Sequence, residues 1–378
     1  MNTIPFNRPS LQGNELNYIT QAVEAKHISG DGQFTHRCHE FLESRLGVSK
    51  ALLTTSCTHA LEMSAILLDL DAGDEVILPS FAFVSTANAF VLRGARPVFA
   101  DIRPDTLNLD EGQLEKLITP KTKAIILIHY GGVGCEMDAI CEIAARHEVA
   151  IVEDNAHGLL GKYKGRFLGT FGTFATLSFH ETKNFTCGEG GALLLNSPEH
   201  IERAEIIREK GTNRANFFRG SVDKYTWVDI GSSYLPSDLN AAYLLAQFEA
   251  AESIQEKRET IWMRYAEGLK EWAGKNRVEP PTVPDHCEQA YHMFYMIMPS
   301  ETDRDALIAY LKSQGITAPF HYLPLHLSTM GARYGGAPGD CPVTENLSAR
   351  LVRLPFYNAL SKDEQERVIT AVTRFSCG

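Results

Sequence analysis

A mostly parallel α/β sheet is the fold class this sequence predicts, and three observations carry it. From Ala51 to Asn196, short β-rich apolar runs alternate with amphipathic helical segments, as strands joined by crossover helices do. Most of these runs end in polar or glycine-rich stretches, where parallel sheets open onto a ligand. A Pro-rich stretch, Glu279-Pro280-Pro281-Thr282-Val283-Pro284, then starts a smaller C-terminal unit. The expected division is a large domain over 1–250 and a smaller α+β domain over 251–378.

With 378 residues, 44% of them hydrophobic, the chain is long enough for more than one core. Its formal net charge is −11 and no basic run breaks the acidity, so neither nucleic acid nor anionic membrane is an expected partner. A small anion remains compatible, because backbone donors can bind phosphate on an acidic protein. The eight cysteines form no CxxC pair, which points to free thiols, a reducing cytoplasm and no metal site. Met1 to Arg8 holds no apolar core of signal-peptide length, and no stretch approaches the ~20 apolar residues of a membrane span.

Residues 1–14 read as a turn-rich surface segment. Leu16 to Lys26 has helical spacing, with Leu16, Ile19 and Val23 on one side. The Gly30-Asp31-Gly32 turn breaks it, and Phe34 to Leu46 is a second amphipathic helix. Ala51 to Thr54 is a strand. Thr55 to Thr58 then opens a helix running to about Leu70, its hydroxyls suited to capping. The same geometry suits phosphate, since free N–H groups and the positive helix end converge there. Taken alone, an ordinary N-cap explains this turn.

Glu75 to Pro79 is a strand leading into Ser80 to Thr86, and a helix follows to Arg93. Pro97 to Asp101 is a strand, Gly112 to Ile118 a helix, and Ala124 to Ile128 a strand entering His129-Tyr130-Gly131-Gly132. Met137 to His147 is helical and feeds a buried strand, Ala150 to Asp154. Phe174 to Phe179 is apolar, Ala192 to Asn196 a strand, and His200 to Gly211 a charged helix. Thr212 to Tyr234 is long, polar and aromatic, so a functional loop or interface is expected. Asp238 to about Lys270 reads as one long helix or a pair. Beyond it come a strand (Met293 to Met298), a helix (Arg304 to Gln314), a turn at Gly315 into another strand, and helices over Glu345 to Leu354 and Lys362 to Phe375.

Two groups in this pattern carry chemistry. Asp154 closes a strand, and Lys183 sits between the apolar run ending at Phe179 and the glycines of Cys187-Gly188-Glu189-Gly190-Gly191. A carboxylate and a lysine so placed are what a pyridoxal 5'-phosphate (PLP) enzyme needs. The lysine binds the cofactor aldehyde, and the carboxylate keeps the pyridine nitrogen protonated as an electron sink.

Around them stand Ser29-Gly30, Thr55-Ser56-Cys57-Thr58, Pro79-Ser80-Phe81-Ala82-Phe83-Val84, Glu153-Asp154-Asn155-Ala156-His157-Gly158, Ser178-Phe179-His180-Glu181-Thr182-Lys183-Asn184, Glu189-Gly190-Gly191 and His321-Tyr322-Leu323-Pro324-Leu325-His326. In this order the chain resembles, almost end to end, the sugar-nucleotide aminotransferases of PLP fold type I. That group surrounds 3-amino-5-hydroxybenzoate synthase and the 4-keto-sugar transaminases. The resemblance implies Lys183 as Schiff-base lysine and proton carrier, with Asp154 on the pyridine nitrogen. It implies Cys57, Thr58 and Ser178 on the phosphate, Phe83 stacked on the ring with plain core packing as the rival, and His157 near the 3-hydroxyl. Relatives commonly have Gln at position 157, and often Gly at 57. Many have Asn at 233, reaching the neighbouring subunit's phosphate; Ser233 is shorter, which puts that contact in question. Gly30, His321 and His326 would line the sugar-nucleotide entrance, and for the two histidines a loop without a ligand role stays open.

The implied reaction moves nitrogen from L-glutamate to the C4 keto group of a dTDP-linked 4-keto-6-deoxy sugar. The likeness is greatest to transaminases making dTDP-4-amino-4,6-dideoxygalactose for bacterial surface polysaccharide, in a cytoplasmic homodimer with shared active sites. A PLP-dependent sugar dehydratase would carry histidine in place of Lys183, and a non-catalytic regulator would not need both Lys183 and Asp154. A nicotinamide dehydrogenase would show GxGxxG after an early strand, which is absent.

Overall fold

The computed structural model describes residues 3–378. Met1 and Asn2, which open the stretch read as turn-rich, lie outside the described residues. The central sheet is built from β1 (Lys50–Thr54), β2 (Glu75–Pro79), β3 (Arg96–Ala100), β4 (Thr122–Ile128) and β5 (Ala150–Asp154). A short excursion, β6 (Lys162–Tyr163) and β7 (Arg166–Phe167), precedes β8 (Phe174–Ser178) and β9 (Gly191–Leu195), which complete it. The order is β1-β9-β8-β5-β4-β2-β3. Strands β8, β5, β4, β2 and β3 are parallel neighbours, while β9 runs against both β8 and β1. The mostly parallel α/β sheet expected from the alternation of runs is therefore present.

Both faces of this sheet are covered, which is why its strands read as near-continuous apolar runs. Leu52, Val76, Leu78, Ile126, Val152, Phe174 and Leu193 join the helices Cys57–Leu67 and Val84–Val91 in one core. The alternate residues Leu53, Leu177 and Leu194 pack on the other face against the helices Gln33–Leu46 and Asp238–Glu249.

Asp238–Glu249 and Ala251–Asn276 are two helices, parted at Ala250. Beyond them, β10 (Cys287–Glu288) pairs with β6, and β11 (Tyr295–Ile297) pairs with β12 (Leu351–Arg353). A separate core gathers Tyr265, Leu269, Phe294, Met296, Leu307, Val352 and Val368, and it also takes Ile4 from the N-terminal segment.

The helix expected from Leu16 onward forms as Glu15–Glu24; Leu16 and Val23 of its apolar stripe are 65% and 55% exposed, and it buries Glu15 and Ala22. Glu15 accepts from Gln12 N, Gly13 N and Gln247 Nε2, so three donors draw a charged residue inward. The helix expected over Glu345–Leu354 stops at Arg350, because Leu351–Arg353 pairs with β11. The strand expected after Gly315 is a single bridge between Ile316 and Ile4.

Candidate active site

Side chains alternate across a strand, and this sorts the end of β5. Glu153 points away from the site into a buried nest of donors: His129 Nε2 and the amides of Gly169, Phe171 and Gly172. Asp154 therefore faces the other side, with Val152, where the helices Cys57–Leu67 and Val84–Val91 lie. Thr176 of β8 is its register partner, and Ser178 ends the same face of that strand.

Asp154 is buried. Its Oδ2 accepts from Thr86 Oγ1 at 2.7 Å and its Oδ1 from Ala156 N at 3.3 Å. No ion pair holds it among the described residues, and burial pushes its carboxyl above the usual range. Cys57 Sγ donates to Thr176 Oγ1 at 3.4 Å and lies 3.9 Å from Asp154 Oδ1. Burial, then the Asp154 charge, holds this thiol well above its ordinary value, so it stays protonated. Ser56 caps the helix that Cys57 begins by accepting from His59 N at 3.1 Å. The first-turn amides of Cys57 and Thr58 have no intrahelical acceptor. Thr58 Oγ1 donates to Ser85 Oγ at 2.8 Å, which joins the starts of the two helices.

Lys183 lies on the closed loop between β8 and β9. Phe179 N donates to Gly190 O at 2.8 Å and Cys187 N to Phe179 O at 3.0 Å, so the loop is shut behind the lysine. Asn184 next to it donates to Ala290 O at 2.6 Å and meets His292 Nδ1 at 2.8 Å. Gly191 is obligatory, since a Cβ there would come within 2.4 Å of Cys57 N. Burial lowers the ammonium pKa of Lys183, and Arg353 adds to that, while the Asp154 charge opposes it. A larger fraction of free amine at neutral pH is what a proton carrier needs.

The opposite wall is aromatic. His157 stacks on His292, with ring centroids 4.2 Å apart and planes 16° from parallel. His321 Nδ1 pairs with Tyr130 Oη at 2.8 Å, and its ring lies 3.6 Å from that of Tyr322. Burial drives the pKa of His157, His292 and His321 well below the ordinary value, so all three imidazoles are neutral. His157 Nδ1 is buried with no hydrogen-bond partner among the described residues. Tyr322 holds φ at +38°, a region bulky residues rarely adopt and one that clusters at functional sites. Phe83 is 54% exposed, 6.3 Å from the Tyr322 ring, so it is not part of the core.

Lys183, Asp154, Cys57, Thr58, Phe83, His157, Ser178 and His321 thus belong to one strand-end layer. The other expected positions lie elsewhere. His326 is fully buried, with Nδ1 against Ser80 Oγ at 2.5 Å and Nε2 against Glu345 Oε1 at 3.0 Å. Both ring nitrogens are engaged, so it ties the chain together instead of facing an entrance. Gly30 admits a close approach by Leu235 and Pro236, which fill the space a Cβ would take. Ser233 is exposed and bridges Glu209. Thr86, Thr176, Asn184, His292 and Arg353 were not anticipated. Of these, only Arg353 has a sequence signal, as a lone cation inside the apolar run Leu351–Leu354.

The DegT/DnrJ/EryC1/StrS aminotransferase family model matches residues 9–373. The chain belongs to this family. SpsC, a spore coat polysaccharide biosynthesis protein of Bacillus subtilis, is 31% identical over 98% of this chain and 96% of its own. Spr1654 of Streptococcus pneumoniae, described as a sugar aminotransferase and solved in its PLP form, superposes with a TM-score of 0.91 at 26% identity, covering 98% of each chain. PseC of Helicobacter pylori, an aminotransferase involved in the biosynthesis of pseudoaminic acid, gives 0.90 at 26% identity with the same coverage. The fold is that of PLP fold type I, and the protein is a PLP-dependent sugar aminotransferase.

The residues present fit that cofactor. The orphaned His157 Nδ1, the ion-pair-free Asp154 carboxyl, the free first-turn amides and the Ser178 hydroxyl each offer a missing half of a polar contact. When bound, PLP supplies an electron sink that makes a proton on the substrate carbon removable. Among the described residues, no helix is long and apolar enough to cross a membrane, and no group of three or more His, Cys, Asp or Glu could hold a metal ion.

Proposed function

We propose that this family member takes its amino group from L-glutamate and delivers it to the C4 keto group of dTDP-4-dehydro-6-deoxy-D-glucose. The product is dTDP-4-amino-4,6-dideoxy-D-galactose. The observation that carries the transamination half is the buried Lys183, its ammonium pKa lowered by that burial, in one layer with Asp154. The sugar half rests on the motif segments from Ser29-Gly30 to His321–His326 and on the relatives, two of which are named for surface or acidic sugars.

In this reading Lys183 Nζ would carry the proton taken from the substrate carbon. Asp154, oriented by Thr86, would hold the pyridine nitrogen protonated. The Cys57 and Thr58 amides, the Thr58 hydroxyl and Ser178 would hold the phosphate. Phe83 would lie on the ring side, His157 toward the 3-hydroxyl and His321 toward the sugar. The division into a large domain over 1–250 and a smaller one over 251–378 belongs to the same reading. A second subunit of a cytoplasmic homodimer completes the site, with Ser233 near its partner's phosphate.

The test incubates purified protein, PLP, L-glutamate and dTDP-4-dehydro-6-deoxyglucose, and reads the product by mass spectrometry and NMR of the sugar ring. An amino group at C4 with galacto couplings is expected. A holoenzyme whose visible band bleaches with glutamate but which yields no aminosugar would keep the chemistry and discard this acceptor. Gluco couplings would discard the stereochemistry.

A further inference from the structure

We infer that His292 is a positioning residue for amino transfer, holding Lys183 in place through a hydrogen bond to the Asn184 side chain. This inference rests on the reading of Lys183 as proton carrier above, although not on the identity of the ketosugar.

Asn184 follows Lys183 directly, and the groups that hold it come from the C-terminal part of the chain. Its Nδ2 donates to Ala290 O at 2.6 Å, its Oδ1 meets His292 Nδ1 at 2.8 Å, and its carbonyl accepts from Asn358 Nδ2 at 3.4 Å. The amide nitrogen faces a carbonyl, so Oδ1 is an acceptor and His292 must donate from Nδ1. Burial keeps this imidazole neutral, which leaves its one proton on Nδ1. The same ring stacks on His157, with centroids 4.2 Å apart.

The backbone that carries His292 is itself fixed. Ala290 N donates to Gly132 O at 2.9 Å, and a Cβ on Gly132 would come within 2.9 Å of Ala290 Cβ. Tyr291 holds φ at +50°, a region bulky residues rarely adopt. Arg258, fully buried in the helix Ala251–Asn276, donates from Nε to Tyr291 O at 2.8 Å and from Nη2 to His292 O at 2.6 Å. Its Nη1 donates to Asn358 Oδ1 at 2.8 Å. One guanidinium thus grips both His292 and Asn358, the two residues that bond Asn184 on either side.

Plain adhesion between the two parts of the chain does not account for this joint. Burying an amide, an imidazole and a guanidinium carries a desolvation cost that an apolar joint avoids. The positive φ of Tyr291 adds strain, which persists where the surrounding structure over-determines it and which collects at functional sites. A lysine side chain is a flexible four-carbon stem, so the place of its amine depends on where its backbone is held. On one side Lys183 N donates to His180 O at 2.9 Å; on the other side stands Asn184. Without a fixed donor on His292, the Asn184 Oδ1 would be buried unpaired and the lysine would lose its forward anchor.

The test mixes PLP-loaded enzyme with L-glutamate by stopped flow. Bleaching of the visible band gives a limiting rate and a half-saturating glutamate concentration. His292→Phe keeps a ring against His157 and deletes the donor, whereas His292→Asn puts an amide nitrogen in the place of Nδ1. Asn184→Ala and the double variant Asn184→Ala/His292→Phe complete the set. The limiting rate should fall roughly 10–100-fold in His292→Phe, the scale of misplacing a reacting group, with half-saturating glutamate changed less than about twofold. His292→Asn should recover most of that loss, and the double variant should be no slower than Asn184→Ala alone. In the apoprotein, amide hydrogen exchange over 179–190 should quicken in His292→Phe and keep its wild-type rate in His292→Asn. A wild-type limiting rate or wild-type exchange in His292→Phe overturns the inference. So does an Asn variant as slow as the Phe variant, or losses that multiply in the double variant. Where His292→Phe does not fold, Asn184→Ala decides: it should show the same loss of rate at unchanged half-saturation, and wild-type behaviour there overturns the inference. A wild type that glutamate does not bleach overturns the donor reading and this inference with it; bleaching of wild type and all variants alike overturns the inference alone.

Discussion

Lys183 and Asp154 are opposite cases of one effect: burial favours the neutral form of each, lowering the lysine and raising the acid. Replacing Lys183 with alanine removes the proton carrier. Amino transfer should fall by at least the roughly 10²–10⁴-fold that a general base contributes, while far-UV circular dichroism is unchanged; an active variant would sink the mechanism. Thr86→Val deletes the 2.7 Å hydrogen bond to Asp154 Oδ2 and leaves the carboxyl less well oriented. PLP should bind about fivefold more weakly, in line with the ~1 kcal/mol typical of such a bond, as read by cofactor dialysis. The three neutral imidazoles give a pH dependence whose sign is fixed. His157, His292 and His321 titrate lower in the fold than the value near 6.5 of an unfolded chain. Below that pH the unfolded state binds protons the fold excludes. Stability is therefore complete above about pH 6.5 and falls as the pH drops toward the depressed values. Urea midpoints of apoprotein should decrease between pH 7.5 and 5.5, and less steeply in His157→Gln.

At the scale of elements, the site is made by strand ends and helix starts meeting edge to edge. Gly191 is the tightest joint, because β9 begins against the backbone of Ser56 and Cys57. Gly191→Ala would force that backbone aside, an overpacking worth about 1–3 kcal/mol. It should lower the melting temperature and weaken PLP together, because the displaced amides are those assigned to the phosphate. A variant of wild-type stability and PLP affinity would show that β9 can yield without disturbing the helix. The β8–β9 loop is the other critical element, since its closing hydrogen bonds and Asn184 fix where Lys183 can reach.

The whole chain leaves apolar surface that a single copy does not cover. Trp227 is 78% and Phe218 70% exposed, and Leu16 and Val23 face outward as well. Exposed aromatic and aliphatic groups in this number suit an interface, and Ser233 lies on the same segment as Trp227. Under the homodimer proposal, sedimentation should give twice the 41.9 kDa chain mass, and Trp227→Glu should shift the protein toward monomer and weaken PLP. A wild-type monomer that binds PLP fully would remove the shared-site proposal.

Much of this was legible in the sequence. The strands ending at Thr54, Pro79, Ile128 and Asp154 stand out because a sheet covered on both faces needs unbroken apolar runs, and polar residues can then appear only where a strand ends. Lys183 and Asp154 were legible for the same reason, as charges that close or follow such runs. Tertiary structure alone decided which partner each exposed position finds. Periodicity marks a stripe of Leu16, Ile19 and Val23 on Glu15–Glu24 without saying what covers it, and in the fold Leu16 and Val23 are surface. His321 and His326 share one motif, yet only three-dimensional packing sends one beside Tyr130 and seals the other between Ser80 and Glu345. Arg353, likewise, is a cation in an apolar run until β12 pairs with β11 and sets it beside His321. Sequence encodes local preference and burial, whereas a site depends on distances between segments far apart in the chain, and only the fold sets those.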